Sequence, residues 1–140
     1  ASVAADAGDT AQLDEAGGRL QAFAPDRATT LYFSSVSAFI HDRVDATVGL
    51  AERAIAADRT YAPTYDLVGA AYTKLDRPAD AKKAFETSLE FDAHDSTAYT
   101  NLGLLELAAG NRQAAANYFA QAHGLAPNSA TAREGLARSR

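Results

Sequence analysis

Tyr65-Asp66-Leu67-Val68-Gly69-Ala70-Ala71-Tyr72 and Tyr99-Thr100-Asn101-Leu102-Gly103-Leu104-Leu105-Glu106 are one pattern written twice, 34 residues apart. The register holds downstream: Asp76 falls on Gly110, Ala81 on Ala115, Phe85 on Phe119 and Ala93 on Pro127. A fixed period of this length means one supersecondary unit stacked on copies of itself, because a single unit cannot bury its apolar face alone. Stacked units build extended surfaces, and such surfaces serve mostly for binding.

The repeated residues make physical sense as a helix pair. Gly69 and Gly103 allow close approach of two helices, and Ala81 and Ala115 meet that contact from the other side. Tyr65, Tyr72 and Phe85 fill the space around it, large against small, as dense packing requires. The middle unit reads Tyr65-x2-Val68-Gly69-x2-Tyr72, then Ala81-x3-Phe85, with Ala93 closing it. The next reads Tyr99-x2-Leu102-Gly103-x2-Glu106, then Ala115-x3-Phe119, then Pro127. This pattern resembles the tetratricopeptide repeat, a helix–turn–helix unit of the same length. Glu106 stands where that family carries Tyr, and Ala93 where it carries Pro. The resemblance implies an all-α solenoid, a right-handed superhelix of about eight helices.

Fainter copies extend the register in both directions. Leu31-x2-Ser34-Ser35-x2-Ala38 and Thr47-x3-Ala51 fill the same slots one period earlier, with Ser35 and Thr47 keeping the contact small. Gly8-Asp9-Thr10 falls on Gly110-Asn111-Arg112, and Phe23-Ala24-Pro25-Asp26 on Leu125-Ala126-Pro127-Asn128. Leu13, Ala16, Leu20 and Phe23 share a helical face there. Pro63 and Pro78 fit first turns, where a missing N–H costs nothing. Asn128-Ser129 fits an N-cap before a last helix. The expected organisation is a mobile segment over 1–7, the second helix of an incomplete unit over 8–27, and a degenerate unit over 28–61. Full units follow over 62–95 and 96–129, with a capping helix over 130–140.

Composition narrows the function classes. The net charge is −5, and no cluster of Lys and Arg interrupts the acidic surface, which argues against nucleic acid. Residues 1–95 hold 16 acidic and 9 basic groups, whereas residues 96–140 hold 2 and 4. That asymmetry reads as solvated faces first, and as head-to-tail attraction between copies second. No run of 18 apolar residues exists, so no membrane-inserting helix is expected. With no Cys, disulfides and thiolate metal sites are excluded. The chain has no Met, which reads as a processed product or a piece of something longer. Composition reads as that of a soluble bacterial protein, and the compartment stays open between cytoplasm and periplasm.

The search for chemistry returns little. There is no phosphate-binding Gly-rich loop followed by Lys-Ser/Thr, no His-Glu-x-x-His and no Gly-x-Ser-x-Gly. His41, His94 and His123 fall in different units and different slots, so the stack holds them apart. Asp14-Glu15 and Asp92/Asp95 read as helix-end and loop charges. No catalytic residue, metal site or cofactor is expected.

The resemblance implies that first helices line a concave groove for an extended peptide or a partner's helix. Carried onto this sequence, the groove slots are Thr29, Tyr32, Val36, Phe39 and Ile40, then Asp66, Ala70, Thr73 and Lys74, then Thr97, Thr100, Asn101, Leu104, Leu107 and Ala108. The residues themselves point the same way. Leu31, Ser35 and Ala38 already occupy the packing slots, so Tyr32, Val36 and Phe39 form a second apolar stripe on the same helix. Leu104 and Leu107 repeat it in the third unit. Such a stripe is either covered from within the chain or offered to a partner.

Some members of the family grip a partner's C-terminal carboxylate with Lys, Arg and Asn. Here only Asn101 matches, Asp66 stands where Lys is needed, and Ala70 where Asn is needed, so that mode is not expected. The first reading is a non-catalytic scaffold for a protein or peptide partner. The alternatives are self-assembly through an open N-terminal end bearing Leu13, Leu20 and Phe23, and an accessory domain of a larger enzyme.

Overall fold

The structure is a computed structural model that describes Glu15 and residues 27–140. Among the described residues there are seven helices and no strand. They are α1 (Ala28–Ile40), α2 (Val44–Ala57), α3 (Ala62–Lys74), α4 (Pro78–Phe91), α5 (Ser96–Ala108), α6 (Arg112–Leu125) and α7 (Ala130–Arg138). Apart from Glu15 and Arg27, the expected earlier helix over 8–27, with Leu13, Leu20 and Phe23, lies outside the described residues, as does the segment 1–7.

Each pair α1/α2, α3/α4 and α5/α6 is closed by the same turn. Asp42, Asp76 and Gly110 take the left-handed backbone at φ 58°, 55° and 84°. The amide after each reaches back across the turn: Arg43 to the Ala38 carbonyl at 2.8 Å, Arg77 to Tyr72 at 2.9 Å, and Asn111 to Glu106 at 2.8 Å. This satisfies carbonyls that a helix end leaves open, and it reverses the chain within three residues. Glycine bears this conformation freely, and Asp is one of the few other residues that tolerate it. The helix starts are equally local. Pro63 and Pro78 occupy first turns. Asp95 accepts from the Thr97 and Ala98 amides, and Ser129 from the Ala132 amide.

Within a pair, an aromatic ring of the second helix packs directly against a glycine of the first. A Cβ placed on Gly69 would come within 2.6 Å of the Phe85 ring, and one on Gly103 within 2.8 Å of Phe119. Phe119 also fills the space beside Gly135 of α7, so one ring fastens α5, α6 and α7. In the degenerate pair the ring is replaced by a hydrogen bond: buried Ser35 donates its hydroxyl to the Thr47 carbonyl at 2.7 Å. In the middle pair Ser88 of α4 donates to the Ala62 carbonyl at 3.2 Å.

Each second helix then packs on the next first helix, and each first helix also touches the following first helix. The core is accordingly a string of junction clusters. Ala51, Val68 and Ala84 join the first two pairs with Val48, Ile55 and Tyr72. Ala81, Phe85 and Leu102 join the next two with Tyr72, Leu89, Leu105 and Tyr118. Glu106, in the slot of an expected Tyr, is buried and is held by Lys82 Nζ at 2.7 Å and Asn111 Nδ2 at 2.8 Å. The Lys82 and Asn111 hydrogen bonds keep its carboxyl below the usual range against the opposing effect of burial.

The glycines differ sharply in what surrounds them, which yields a paired expectation. Gly49 of α2 has no atom within 4 Å of an added Cβ. Gly49→Ala should stabilise the fold by roughly 0.5–1 kcal/mol through helix propensity alone. Gly103→Ala should destabilise it, because overpacking against an immobile ring costs about 1–3 kcal/mol. Urea unfolding of the two variants checks this, and equal shifts would refute the ring-on-glycine account.

Candidate binding groove

Because α1, α3 and α5 touch in succession, their free faces form one continuous surface. Between α3 and α5 it is indented three times. The first depression, about 290 Å³, is walled by Tyr32, Tyr61, Asp66, Ala70, Asp92, Asp95, Thr97 and Asn101. The second, about 210 Å³, adjoins it through Ala70 and Asn101 and is lined by Thr73, Leu104, Leu105 and Ala108, with Phe85 at its floor. The third, about 270 Å³, continues past Thr73, Leu105 and Ala108 to Asp76, Pro78 and Ala109. The groove thus runs from an acidic, aromatic end to an apolar end.

The expected residues separate accordingly. Asp66, Ala70, Thr73, Asn101 and Leu104 line these depressions, and Leu104 is 40% exposed. Tyr32 forms part of the acidic depression and meets the Tyr61 ring edge-on at 5.2 Å. Burial, followed by the nearby Tyr61 and Asp66, raises the Tyr32 phenol above its usual value. Phe39 is half-buried beneath the Lys74 ammonium, 4.6 Å from the ring centre, and Lys74 also pairs with Asp42 at 3.1 Å. Thr73 and Thr100 donate their hydroxyls to the carbonyls of Gly69 and Ser96 in their own helices. Leu107 is half-buried on the last turn of α5. Val36 departs from expectation: it is only 6% exposed, so it belongs to the interior and offers no surface to a partner. The second stripe of α1 is therefore covered at its centre.

Two carboxylates read as loop charges turn out to face the groove. Asp95 caps α5 and accepts from the Thr97 amide at 2.9 Å and the Ala98 amide at 3.2 Å. Burial opposes its charge, but these amides and a hydrogen bond from Asp66 outweigh it and hold Asp95 below the usual carboxylate range. Asp66 bears the opposite consequence. Burial first, then the hydrogen bond to Asp95 and its negative charge, push Asp66 up to about 8. At neutral pH the pair shares a single proton. Tyr61 and Asp92 were also missed as wall residues. The period carried a trace of them, since Tyr61 falls on Asp95 and Asp58 on Asp92, placing the inter-unit loops in equivalent positions.

Among the described residues no helix is long and apolar enough to cross a membrane, and no three His, Cys, Asp or Glu side chains are grouped to hold a metal ion. His41 and His94 are exposed, and His123 is half-buried on α6.

The repeated turn and the ring-on-glycine contact define a helical-repeat fold. Residues 62–95 and 96–129 match the tetratricopeptide repeat family model, so the chain carries two adjacent repeats of that family. No curated protein sequence matches the chain. Among solved structures it is similar to MamA, at 25% identity and a TM-score of 0.72 over 79% of this chain; it spans 65% of that one. The Arabidopsis OM64 TPR domain matches at 21% identity and a TM-score of 0.78, over 81% of this chain and 93% of that one. The first TPR of Spaghetti (RPAP3), solved bound to an HSP90 peptide, matches at 18% identity and a TM-score of 0.78, over 81% and 90%. The last two likenesses show the fold alone.

The carboxyl pair makes a pH-dependent contribution whose sign is fixed. A carboxyl raised from 3.8 to about 8 binds its proton more tightly in the folded chain, so folding loses stability as pH rises through that window. Asp66→Asn removes the proton dependence. The variant's melting temperature minus that of the parent should grow between pH 5 and 8 and level off above. Thermal melts across that range check it, and a constant difference would disprove the shared proton.

Proposed function

We propose that this chain is a non-catalytic scaffold that holds a peptide or a helix of a partner protein in the groove between α3 and α5. The observation that carries the reading is the continuity of the groove: three adjoining depressions, with Leu104 exposed between them. An exposed leucine beside Ala108 and Leu105 is favourable only in part to water, and it gains roughly 25 cal/mol for each Å² of apolar area that a ligand covers. A repeat surface of this kind recognises ligands through side chains set at fixed spacing along an extended strand or a helix face. The match to the tetratricopeptide repeat and the peptide bound to Spaghetti support peptide binding as a class. They do not extend to that ligand's acidic tail, because the Asp66–Asp95 pair, which keeps one negative charge at neutral pH, would repel a carboxylate here.

The test is selection of peptides from a displayed random library on the full chain, followed by calorimetry of synthetic copies. Leu104→Glu with Ala108→Arg should weaken the selected peptides at least tenfold, about 1.4 kcal/mol, while helicity stays unchanged. Failure to select any peptide, or equal affinity in the double variant, would overturn the groove assignment.

A further inference from the structure

We infer that the acidic depression at one end of the groove seats a cationic side chain of the bound partner, with a guanidinium as the group that fits it best. This rests on the groove reading and specifies the chemistry at one end of it. The walls supply what such a group needs. Asp66, Asp92 and Asp95 face one depression of about 290 Å³, and among the described residues no Lys or Arg lines it. Lys74, further along α3, is already engaged with Asp42 and the Phe39 ring. Beyond its link to Asp95, the Asp66 carboxyl has a buried Oδ1 to which no further donor among the described residues is bonded. Tyr32 and Tyr61 close the side, edge to face, and offer ring surface to a planar cation. Asn101 adds an amide from α5.

Charge complementarity selects the occupant. An apolar side chain would leave the buried carboxyl oxygen without a donor, and an anion would meet like charge. An ammonium satisfies the charge, but a guanidinium also matches a carboxylate as a two-pronged donor and stacks on aromatic rings. Its entry displaces the proton shared by Asp66 and Asp95, so binding releases a proton. The raised position of Asp66 then makes affinity increase with pH up to about 8. Among the described residues the titratable groups facing Asp66 are Tyr32 from α1, Tyr61 at the head of α3, Asp92 from the loop after α4 and Asp95 at the head of α5, and Ser88 of α4 hydrogen-bonds it. Tyr32 stays neutral over that range, since burial raises its phenol further above neutrality.

The experiment titrates the full chain with N-acetyl-L-arginine amide and, separately, with the neutral citrulline analogue, following backbone amide shifts by NMR. Saturable shifts at Asp66, Thr97 and Asn101 with the arginine probe alone are expected. Asp66→Asn should weaken it at least fivefold and flatten its pH dependence between pH 6 and 8. Asp92→Asn, at the exposed C-cap of α4, where the amide oxygen can still accept from the His94 N–H, should weaken it about two- to threefold. Equal response to citrulline, or unchanged affinity in both variants, would overturn the inference. The two readings fail separately. Library peptides that bind without any preference for Arg, and bind Asp66→Asn equally well, would sink the cation seat and leave the groove standing. Arginine binding without any selected peptide would do the reverse.

Discussion

The stack depends on one contact, the phenylalanine ring packed against a helical glycine. Phe85 on Gly69 and Phe119 on Gly103 set how closely the two helices of a unit approach. Both rings are buried to within 1% of their surface, so neither can yield. Interiors at this density transmit a misfit of one methyl group directly to the backbone. Once the pair is fixed, the turn must reverse the chain in the space left. Asp42, Asp76 and Gly110 do so by taking the left-handed conformation at equivalent positions. The degenerate pair shows that the constraint is on distance and not on identity. Ser35 and Thr47 keep the gap small and exchange ring packing for a buried hydrogen bond.

The groove follows from the same geometry. A first helix spends one face on its own partner and a second on the preceding unit, and its third face has no neighbour among the described residues. What lines that face is free of packing demands, so it can carry polar groups. Even so, it is not fully solvated. Asp66 lies deep enough that losing its proton costs free energy, whereas Asp95, held by two backbone amides at the head of α5, keeps its charge. The two carboxyls differ because one is tied into a helix start and the other projects from a helix middle.

How much of this was legible in the sequence divides along the same line. The pairing of Gly69 with Phe85, the equivalent turns and the capping residues recur at a fixed offset, so their meaning is available without coordinates. Ser35 and Thr47 were readable as small residues, though their hydrogen bond was not. Val36 misled because the i, i+4, i+7 stripe records only that a face is apolar, and a covered face and an open one look alike. Glu106 misled in the other direction. It breaks the repeat, and the reason lies in Lys82 on another helix and Asn111 across the turn, neither of which any local pattern connects to it. Asp95 was taken for a loop charge because capping is local, whereas its approach to Asp66 is a tertiary fact.

Departures from the repeat are where this chain acquires individuality. Positions under the packing constraint are held to a few residue types, so they describe the family and say nothing of the ligand. Positions on the free face are not so held. Asp66, Ala70 and Asn101 occupy equivalent surroundings to the groove residues of any such stack, yet their chemistry is this chain's own. A buried carboxyl beside a second one is unfavourable for the isolated fold, since an apolar residue of similar size would pack there without cost. Retaining it makes physical sense where something outside the chain restores the balance of charge. A bound cation does that, because it converts the repulsion between two carboxylates into attraction to both.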